Sequence, residues 1–310
     1  MITAFKTTQA VLEGVTEFED DCWINVVNPT YEELERLSGE LHVPLDILTD
    51  PLDIDERARC EAEEHWLMII LRVPVVDESA SDVPFFTLPI GILVTDKHLL
   101  TICRKENDVM RDFMSGRVKT FSTANRRRFA LQIFLRTALL YLRDLKEINT
   151  SANIVQDKLH KSMVNRHLIR LLSLEKSLVY FTTSLRSNEL MVERLHKLAS
   201  FKLLEDEQEL LEEVMVENRQ AIEMANIYSD ILAGMMDAFA SIISNNVGVV
   251  VKMLTAITIV LTLPMLVASI YGMNVPLPFA THPHAFAIVM GSALVLTAVM
   301  SYYFYRRRWF

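Results

Sequence analysis

Four carboxylates recur along one stretch of the sequence at spacings that, in a helix, form a stripe along its surface. They are separated by ten, seven and seven residues: Glu213, Glu223, Asp230 and Asp237. Because seven residues return a helix to within about 20° of the same direction, the last three share one face. Such a stripe suits the binding of a divalent cation, but it is also typical of a solvated helix surface. The spacing alone favours the solvated surface.

Enzyme chemistry has little support in the sequence. It contains no phosphate-binding loop, no GxSxG and no HExxH, and its three cysteines, Cys22, Cys60 and Cys103, lie far apart. This pattern favours reduced structural thiols over a disulfide framework. Residues 1–14 lack an apolar run after a basic start, so we expect no secretory signal. The chain is therefore predicted not to be an enzyme.

The charges are unevenly distributed along the chain. Four of the 31 Lys and Arg residues lie at or beyond Lys252, where no Asp or Glu occurs; this leaves 27 against 40 Asp and Glu before it. The body before Lys252 thus carries a net charge near −13, and the C-terminal part carries +4. A nucleic-acid-binding protein would show the opposite bias, so no nucleic-acid partner is expected.

An uncharged stretch, residues 253–305, predicts two membrane spans. It is far longer than the roughly 20 residues that one helix needs to cross a bilayer, and a turn-rich segment interrupts it. We predict spans at about 247–271 and 285–305, joined by loop 272–284, with the lipid bilayer as their partner. Buried helices of a soluble protein are the alternative, although two adjacent helices without a charged face would be unusual.

Basic residues flank the two predicted spans. Lys252 lies near the start of the first span, and the tail 306–310 contains three arginines, whereas the loop has no Lys or Arg. The positive-inside rule therefore places both termini in the cytoplasm, as expected for a multi-pass protein of the cytoplasmic (inner) membrane.

The residues before the spans predict an α+β protein. Residues 1–125 are expected to form an α/β domain, with strands at 23–27, 65–76, 85–88, 90–95 and 98–103. A helix to Leu41 is expected to start at Thr30, whose side chain would cap it together with Glu33. No proline occurs between Pro89 and Pro264. Apolar residues at helical spacing predict an antiparallel helix pair over 126–200, at 126–162 and 164–200, and a stalk helix over 201–246 that continues into the first span.

The first predicted span is followed by Tyr271-Gly272-Met273-Asn274. Taken alone, this segment predicts a helix end, because glycine supplies the backbone freedom of a C-terminal cap and Pro276 prevents continuation. Here, however, it lies between two spans in a chain that ends in basic residues and Trp309. This arrangement resembles the CorA family of two-span Mg²⁺ transporters, whose signature is Gly-Met-Asn at this place.

The resemblance covers nearly the whole chain. The segments that carry it are 23–61, 66–74, 174–189 and 229–246. It implies a homopentameric funnel in which a cytoplasmic α/β domain, the helix pair and the stalk helix precede a pore-lining inner span and an outer span. It also implies that Mg²⁺ is both the transported and the regulatory ion. In that case Gly272, Met273 and Asn274 form the selectivity filter.

Polar residues of the first span are predicted to line the pore. Thr255, Thr258, Thr262 and Ser269 lie on one face at spacings of three, four and seven, and Val251 and Leu254 would form an apolar constriction near its cytoplasmic end. The alternative is that the hydroxyls bond to carbonyls of their own helix or pack against the other span.

The resemblance further implies that Mg²⁺ bound between cytoplasmic domains holds the pore shut. Glu213 occupies the place of the stalk acid that binds this regulatory ion, and Asp237 falls where the family commonly has an Asp facing the funnel. Glu223 and Asp230 complete the predicted regulatory set. The partner of Glu213 in the N-terminal domain is not fixed, and Asp82 and Asp96 are the candidates.

Some positions depart from the family pattern, and two other functions stay open. The loop 272–284 has no Asp or Glu, and Gly248 stands where an Asn is common in the family.

A transporter of Zn²⁺, Co²⁺ or Ni²⁺ is one alternative function, because His282 and His284 suit such ions. The intact Met273 argues against zinc. A membrane scaffold without transport is the other alternative, and the intact motif opposes it.

Overall fold

The computed structural model describes residues 1–9, 11–77, 83–118, 121–161, 165–198, 201, 203–275 and 283–309. They belong to two units, Met1–Met235 and Met236–Phe310. The strands are β1 Ile2–Thr8, β2 Val11–Val15, β3 Trp23–Val27, β4 Arg59–Ala62, β5 Trp66–Val76, β6 Phe85–Thr95 and β7 Leu99–Cys103. The helices are α1 Tyr31–Leu41, α2 Leu45–Thr49, α3 Asp108–Met114, α4 Arg126–Lys161, α5 Asn165–Lys197, α6 Glu205–Tyr271 and α7 Ala285–Arg306, with a 3₁₀ helix at Asp50–Leu52.

The first unit is built on a seven-stranded sheet in the order β2-β1-β3-β7-β6-β5-β4. Only β3 and β7 are parallel neighbours; the other pairs are antiparallel. Ile69 and Leu71 of β5 join a core with residues of α3, α4 and α5, whereas Met68 and Ile70 join a second core with α1 and α2. Since both faces of β5 are covered, its sequence is apolar almost without interruption, as predicted.

Two prolines lie inside the long hairpin of β5 and β6. Pro74 pairs with Thr87, beyond the residues of β5 that pair with β4, and Pro89 pairs with Arg72, beyond those of β6 that pair with β7. Each proline therefore has a neighbouring strand on one side only. The side without a strand needs no N–H donor, so proline is tolerated at both positions. The break that we predicted between 85–88 and 90–95 is consequently wrong, because β6 continues through Pro89.

Helix α1 begins with the predicted cap. The Glu33 backbone N–H donates to Thr30 Oγ1 at 3.2 Å, and the Thr30 backbone N–H donates to Glu33 Oε2 at 2.9 Å. The latter bond stabilises the ionised carboxylate and lowers the pKa of Glu33. This reciprocal arrangement satisfies two backbone donors at the helix start.

The long helices agree with the sequence pattern, whereas several short elements were not predicted. Helices α4 and α5 match the expected pair within three residues at each end, and α6 begins four residues after position 201, where the stalk helix was expected to begin. The elements that the sequence reading missed are β1, β2, β4, α2, α3 and the 3₁₀ helix.

The second unit contains the C-terminal part of α6 and the whole of α7. Both helices are long and apolar enough to cross a membrane, and almost none of the most apolar stretch of either is buried within the chain. The chain thus presents two exposed apolar helices, as the two predicted spans require. After α7, the ring of Trp309 stacks on Phe304 with 5.2 Å between centroids.

Asp144 of α4 is a buried carboxyl in the first unit. Arg143 Nε donates to its Oδ1 at 2.8 Å, whereas Oδ2 is buried without a hydrogen-bond partner among the described residues. Burial raises the pKa of Asp144 from 3.8 to about 6. Because the pKa is raised on folding, the protonated form stabilises the fold. This contribution is complete below about pH 4 and is lost as the pH rises through about 6, with a size of about 3 kcal/mol.

We therefore expect Asp144→Asn, which keeps the Oδ1 acceptor, to raise the unfolding temperature at about pH 8. It should also flatten the dependence of that temperature on pH between about 4 and 6. Calorimetry of the full chain in detergent measures both quantities. Asp157→Asn, an exposed position on the same helix, is the matched control. An Asp144→Asn protein with the wild-type pH profile would contradict the assignment.

Candidate functional site

The N-terminal part of α6 presents three carboxylates on the side away from its own unit. The buried side of this helix segment is formed by Leu211, Val214, Asn218, Ala221, Ile222, Ala225 and Leu232. Glu213, Glu223 and Asp230 lie within about 60° of the opposite direction, and all three are exposed. None of them forms an ion pair within the part of the chain that the structure describes. Within the described residues these negative charges are therefore uncompensated.

The fourth residue of the predicted acidic stripe, Asp237, is exposed in the second unit. Of the two candidate partners of Glu213, Asp82 lies outside the described residues. Asp96 is exposed, and its Oδ2 lies 3.8 Å from His65 Nδ1. Among the described residues, no group of three or more His, Cys, Asp or Glu side chains could hold a metal ion. Within the described residues of one chain, the acidic stripe therefore does not by itself assemble a metal site.

The C-terminal part of α6 carries an exposed face of polar side chains, which we call the hydroxyl face: Thr255, Thr258, Thr262 and Ser269. The three threonine hydroxyls donate to carbonyls of their own helix, at 2.8 Å to Val251 O, 2.8 Å to Leu254 O and 3.1 Å to Ile259 O. This is the bonding that we considered as the alternative to pore lining. It leaves the lone pairs of each oxygen free, so the face presents acceptors rather than donors to its surroundings.

The hydroxyl face lies opposite the packed side of α6 in the second unit. The buried and half-buried residues of this segment are Ala256, Ile259, Val260, Leu263, Pro264 and Val267. At about 100° per residue, their mean direction is roughly 140° from that of Thr255 and Thr258. Val251 and Leu254 are exposed on the same side of α6 as the hydroxyls. The packing within the unit thus leaves the predicted pore-lining side unoccupied.

Met265 belongs to the same face and was missed by the sequence reading. It is 66% exposed and lies three residues after Thr262 and four before Ser269. The alternating spacing of three and four from Thr255 to Ser269 would have found it, but only the polar members of the row were considered.

The Gly-Met-Asn segment follows the end of α6 at Tyr271, as predicted. Gly272 N–H donates to Ala268 O at 3.0 Å and Met273 N–H donates to Ile270 O at 3.2 Å, which continues the helical turn. The helix ends at the expected place, but Gly272 does not adopt the left-handed conformation common at glycine C-caps, because its φ lies outside the left-handed region. A Cβ there would meet Ala268 O at 3.4 Å, an ordinary contact. The chain's own backbone therefore does not require glycine at this position.

Gly272, Met273 and Asn274 are all exposed at this helix end. The amide of Asn274 offers a neutral oxygen acceptor, and the last carbonyls of α6 add partial negative charge beside it. These groups can attract a cation without binding it as tightly as a carboxylate would. Pro276 and His282 lie outside the described residues, together with the rest of 276–282.

Comparison with known proteins identifies the family. A family model for CorA-like Mg²⁺ transporter proteins matches residues 19–307. A cobalt/magnesium transport protein CorA of Methanocaldococcus jannaschii is 28% identical over 297 residues, which are 93% of this chain and 90% of that protein.

Solved structures agree with the family match. The complete structure of the CorA magnesium transporter from Methanocaldococcus jannaschii superimposes with a TM-score of 0.85 at 25% identity, over 100% of this chain and 99% of that one. The full-length CmaX protein shares the fold, with a TM-score of 0.72 at 15% identity, over 99% of this chain and 96% of that one.

The fold and the site define an α+β protein whose long helix continues into the first of two apolar helices, in the manner of two-span ion transporters. The chain belongs to the CorA-like Mg²⁺ transporter family. This membership assigns it to ion transporters rather than to enzymes, which is the class predicted from the sequence.

Proposed function

We propose that the chain is one subunit of a homopentameric channel that admits Mg²⁺ across the cytoplasmic membrane and closes when internal Mg²⁺ is plentiful. The observation that carries this proposal is the Gly272-Met273-Asn274 segment at the end of α6, directly beyond an exposed face of hydroxyl acceptors. Family membership supports the transport of a divalent cation, and the relative from Methanocaldococcus jannaschii is named for cobalt and magnesium.

A filter for Mg²⁺ has to accept the ion with much of its water. Mg²⁺ dehydrates reluctantly, and the hydrogens of its bound waters point outward. Such a hydrated ion needs acceptors around it. Asn274 Oδ1, repeated around an axis, supplies them at the entrance, with Gly272 and Met273 setting its position. Below it, the hydroxyl face continues the path, because its threonine hydrogens are engaged with the helix and its lone pairs are free.

The gate of the proposed channel lies at the other end of this face. Val251 and Leu254 are 55% and 62% exposed in the single chain and share the side of Thr255. Apolar rings of this kind can close a pore by excluding water. Since a hydrated cation cannot enter an apolar constriction without losing solvation, a narrow ring at Leu254 stops conduction.

Several copies are needed to enclose this path. One chain contributes two spans, and two helices cannot surround a water-filled pore. In the proposed assembly, 1–125 is the cytoplasmic α/β domain, 126–200 the helix pair and 201–246 the stalk. Segment 247–271 is the inner span. The external loop 272–284, the outer span 285–305 and the basic tail 306–310 complete the chain.

The orientation can be tested by labelling. Because Lys252 and the tail 306–310 flank the spans, both termini should be cytoplasmic. A cysteine introduced at position 284 should react with an impermeant thiol reagent added outside whole cells. A cysteine at position 308 should react only after the membrane is permeabilised. The native thiols Cys22 and Cys103 are buried, and half-buried Cys60 is replaced by serine to keep the background low. Labelling of position 308 but not of position 284 in intact cells would contradict the topology.

Ion uptake by proteoliposomes tests the function itself. The purified protein should carry Mg²⁺ into vesicles that contain a fluorescent Mg²⁺ indicator, and the competing ions Co²⁺, Ni²⁺ and Zn²⁺ should be compared at equal concentration. Uptake of Co²⁺ alone would favour the second candidate, a cobalt transporter, which the name of the relative supports. A fully assembled protein that moves none of these ions would overturn transport and favour a scaffold.

A further inference from the structure

A cleft of about 780 Å³ in the first unit is lined by an unusual number of arginines. It lies between the segment that precedes β4, strand β5 and helix α5. Its arginines are Arg57, Arg59, Arg72, Arg186 and Arg194, and Asp55 is its only carboxylate. We call it the basic cleft. It differs from the acidic character of the rest of the body.

Most of the positive charge of the basic cleft is not neutralised. Arg59 is paired with Asp50, Glu56 and Glu61. The other four arginines form no ion pair within the described residues, although the body before Lys252 carries 40 acidic side chains. Unpaired arginines at one place in an acidic protein form a local attraction for an anion.

Arg72 contributes positive charge to the cleft but no free hydrogen-bond donors. Its guanidinium N–H groups donate to Ile54 O, Glu56 O, Thr87 O, Thr87 Oγ1 and Ser184 Oγ at 2.6–3.2 Å. All these acceptors are uncharged, and burial lowers the pKa of Arg72. A neighbouring anion would compensate this half-buried charge.

The free donors come from the rim. Arg57, Arg186 and Arg194 are exposed, and the one hydrogen bond that the described residues show among them runs from Arg186 to Asn226 Oδ1 at 3.5 Å. Ser187 Oγ accepts from the Ala58 backbone N–H at 3.1 Å, so its own hydrogen remains free to donate. Three guanidinium groups and an adjacent hydroxyl can bind several oxyanion groups at once. A ligand with several such groups therefore suits the cleft better than a ligand with a single carboxylate.

We propose that the basic cleft binds a soluble anion that carries several phosphate groups. Tyr180 and Leu190, which are 49% and 60% exposed, form an apolar part of its wall on which a nucleobase can pack. A nucleoside triphosphate therefore fits both parts of the cleft. Since the cleft offers one carboxylate against several arginines, it prefers the metal-free anion, whose charge Mg²⁺ has not already reduced.

Titration calorimetry of the full chain in detergent tests this inference with ATP and inorganic tripolyphosphate as probes. Both should bind saturably, ATP more tightly, and equimolar Mg²⁺ should weaken both. Arg186→Gln/Arg194→Gln should reduce the affinity at least about tenfold. Tyr180→Ala should remove the advantage of ATP. Arg166→Gln, an exposed position on the same helix outside the cleft, should leave the affinity unchanged.

Other outcomes overturn the inference. Binding that Arg166→Gln weakens as much as the double substitution would be non-specific attraction. Binding only to vesicles that contain phosphatidylinositol bisphosphate would assign the cleft to a lipid headgroup rather than to a soluble anion. If the wild type binds neither probe and the double substitution dissociates the oligomer, the cleft holds an acidic segment of a second copy. Mg²⁺ uptake is not the readout, so this result and the transport assay are independent.

Discussion

Replacement of Asn274 by alanine is expected to abolish Mg²⁺ uptake or to reduce it at least about tenfold, while the oligomer still assembles. The amide is exposed just beyond the end of α6, so its removal disturbs no packing within the chain. What is lost is the proposed ring of neutral acceptors for the waters of the hydrated ion. A tenfold lower flux corresponds to about 1.4 kcal/mol at the rate-limiting barrier, which is within the range of about 0.5–1.5 kcal/mol for one lost hydrogen bond between neutral groups.

The measurement is initial Mg²⁺ uptake into proteoliposomes at equal protein density, with assembly checked by gel filtration in detergent. Val275→Ala is the matched control, because this side chain is exposed in the same segment but offers no oxygen. It should retain wild-type uptake. An Asn274→Ala protein that assembles and conducts like the wild type would remove Asn274 from the mechanism. Equal losses in both variants would indicate a general effect on the loop.

The sequence predicts the parts of this fold that local chemistry determines. Strand β3 and helix α1 are found at their expected positions, because an apolar run fixes the strand and the Thr30–Glu33 pair fixes the helix start. The end of α6 at Tyr271 also follows from the sequence. In each case the signal lies within a few residues, and no distant contact has to be known.

Other elements depend on contacts that no local pattern reveals. Strand β2 is largely exposed and β1 only half-buried, so neither has the apolar run that identified β5. Strand β6 continues through Pro89 because the pairing with β7 stops at Ile90, so no strand on that side needs an N–H from Pro89. This pairing is a property of the sheet and cannot be read from the segment alone. Tertiary context thus decides the short and edge elements.

The candidate site divides in the same way. The periodicity of Thr255 and Thr258 placed them on one face, but only the packing of Ala256 shows that this face is the one left exposed. The basic cleft was not predicted at all. Its arginines come from residues 57–72 and 186–194, and nothing in either segment alone indicates that they meet. Sites assembled from distant segments need the fold before they can be found.

Removal of the carboxylate of Glu213 is expected to make the channel less sensitive to internal Mg²⁺ without stopping conduction. Glu213 is exposed, forms no ion pair within the described residues and faces away from its own unit, so its charge is available to a neighbouring copy. In the proposed pentamer, the carboxylates of neighbouring subunits would repel one another: at an effective dielectric constant of about 20, two like charges 4 Å apart cost on the order of 4 kcal/mol. Bound Mg²⁺ would replace this repulsion by attraction and hold the closed ring together.

Glu213→Ala should therefore raise the Mg²⁺ concentration that half-protects the cytoplasmic domain from protease by about tenfold, equivalent to about 1.4 kcal/mol of binding. Single-channel or vesicle currents should persist at Mg²⁺ levels that close the wild type, because the filter at Asn274 is unchanged. Glu35→Ala, an exposed carboxylate of α1, is the control and should keep wild-type protection. If Glu213→Ala also keeps the wild-type Mg²⁺ dependence of protection and current, Glu213 does not bind the regulatory Mg²⁺. The next candidates are then Glu223, Asp230 and Asp237. If all three are silent as well, the acidic stripe is a solvated helix surface.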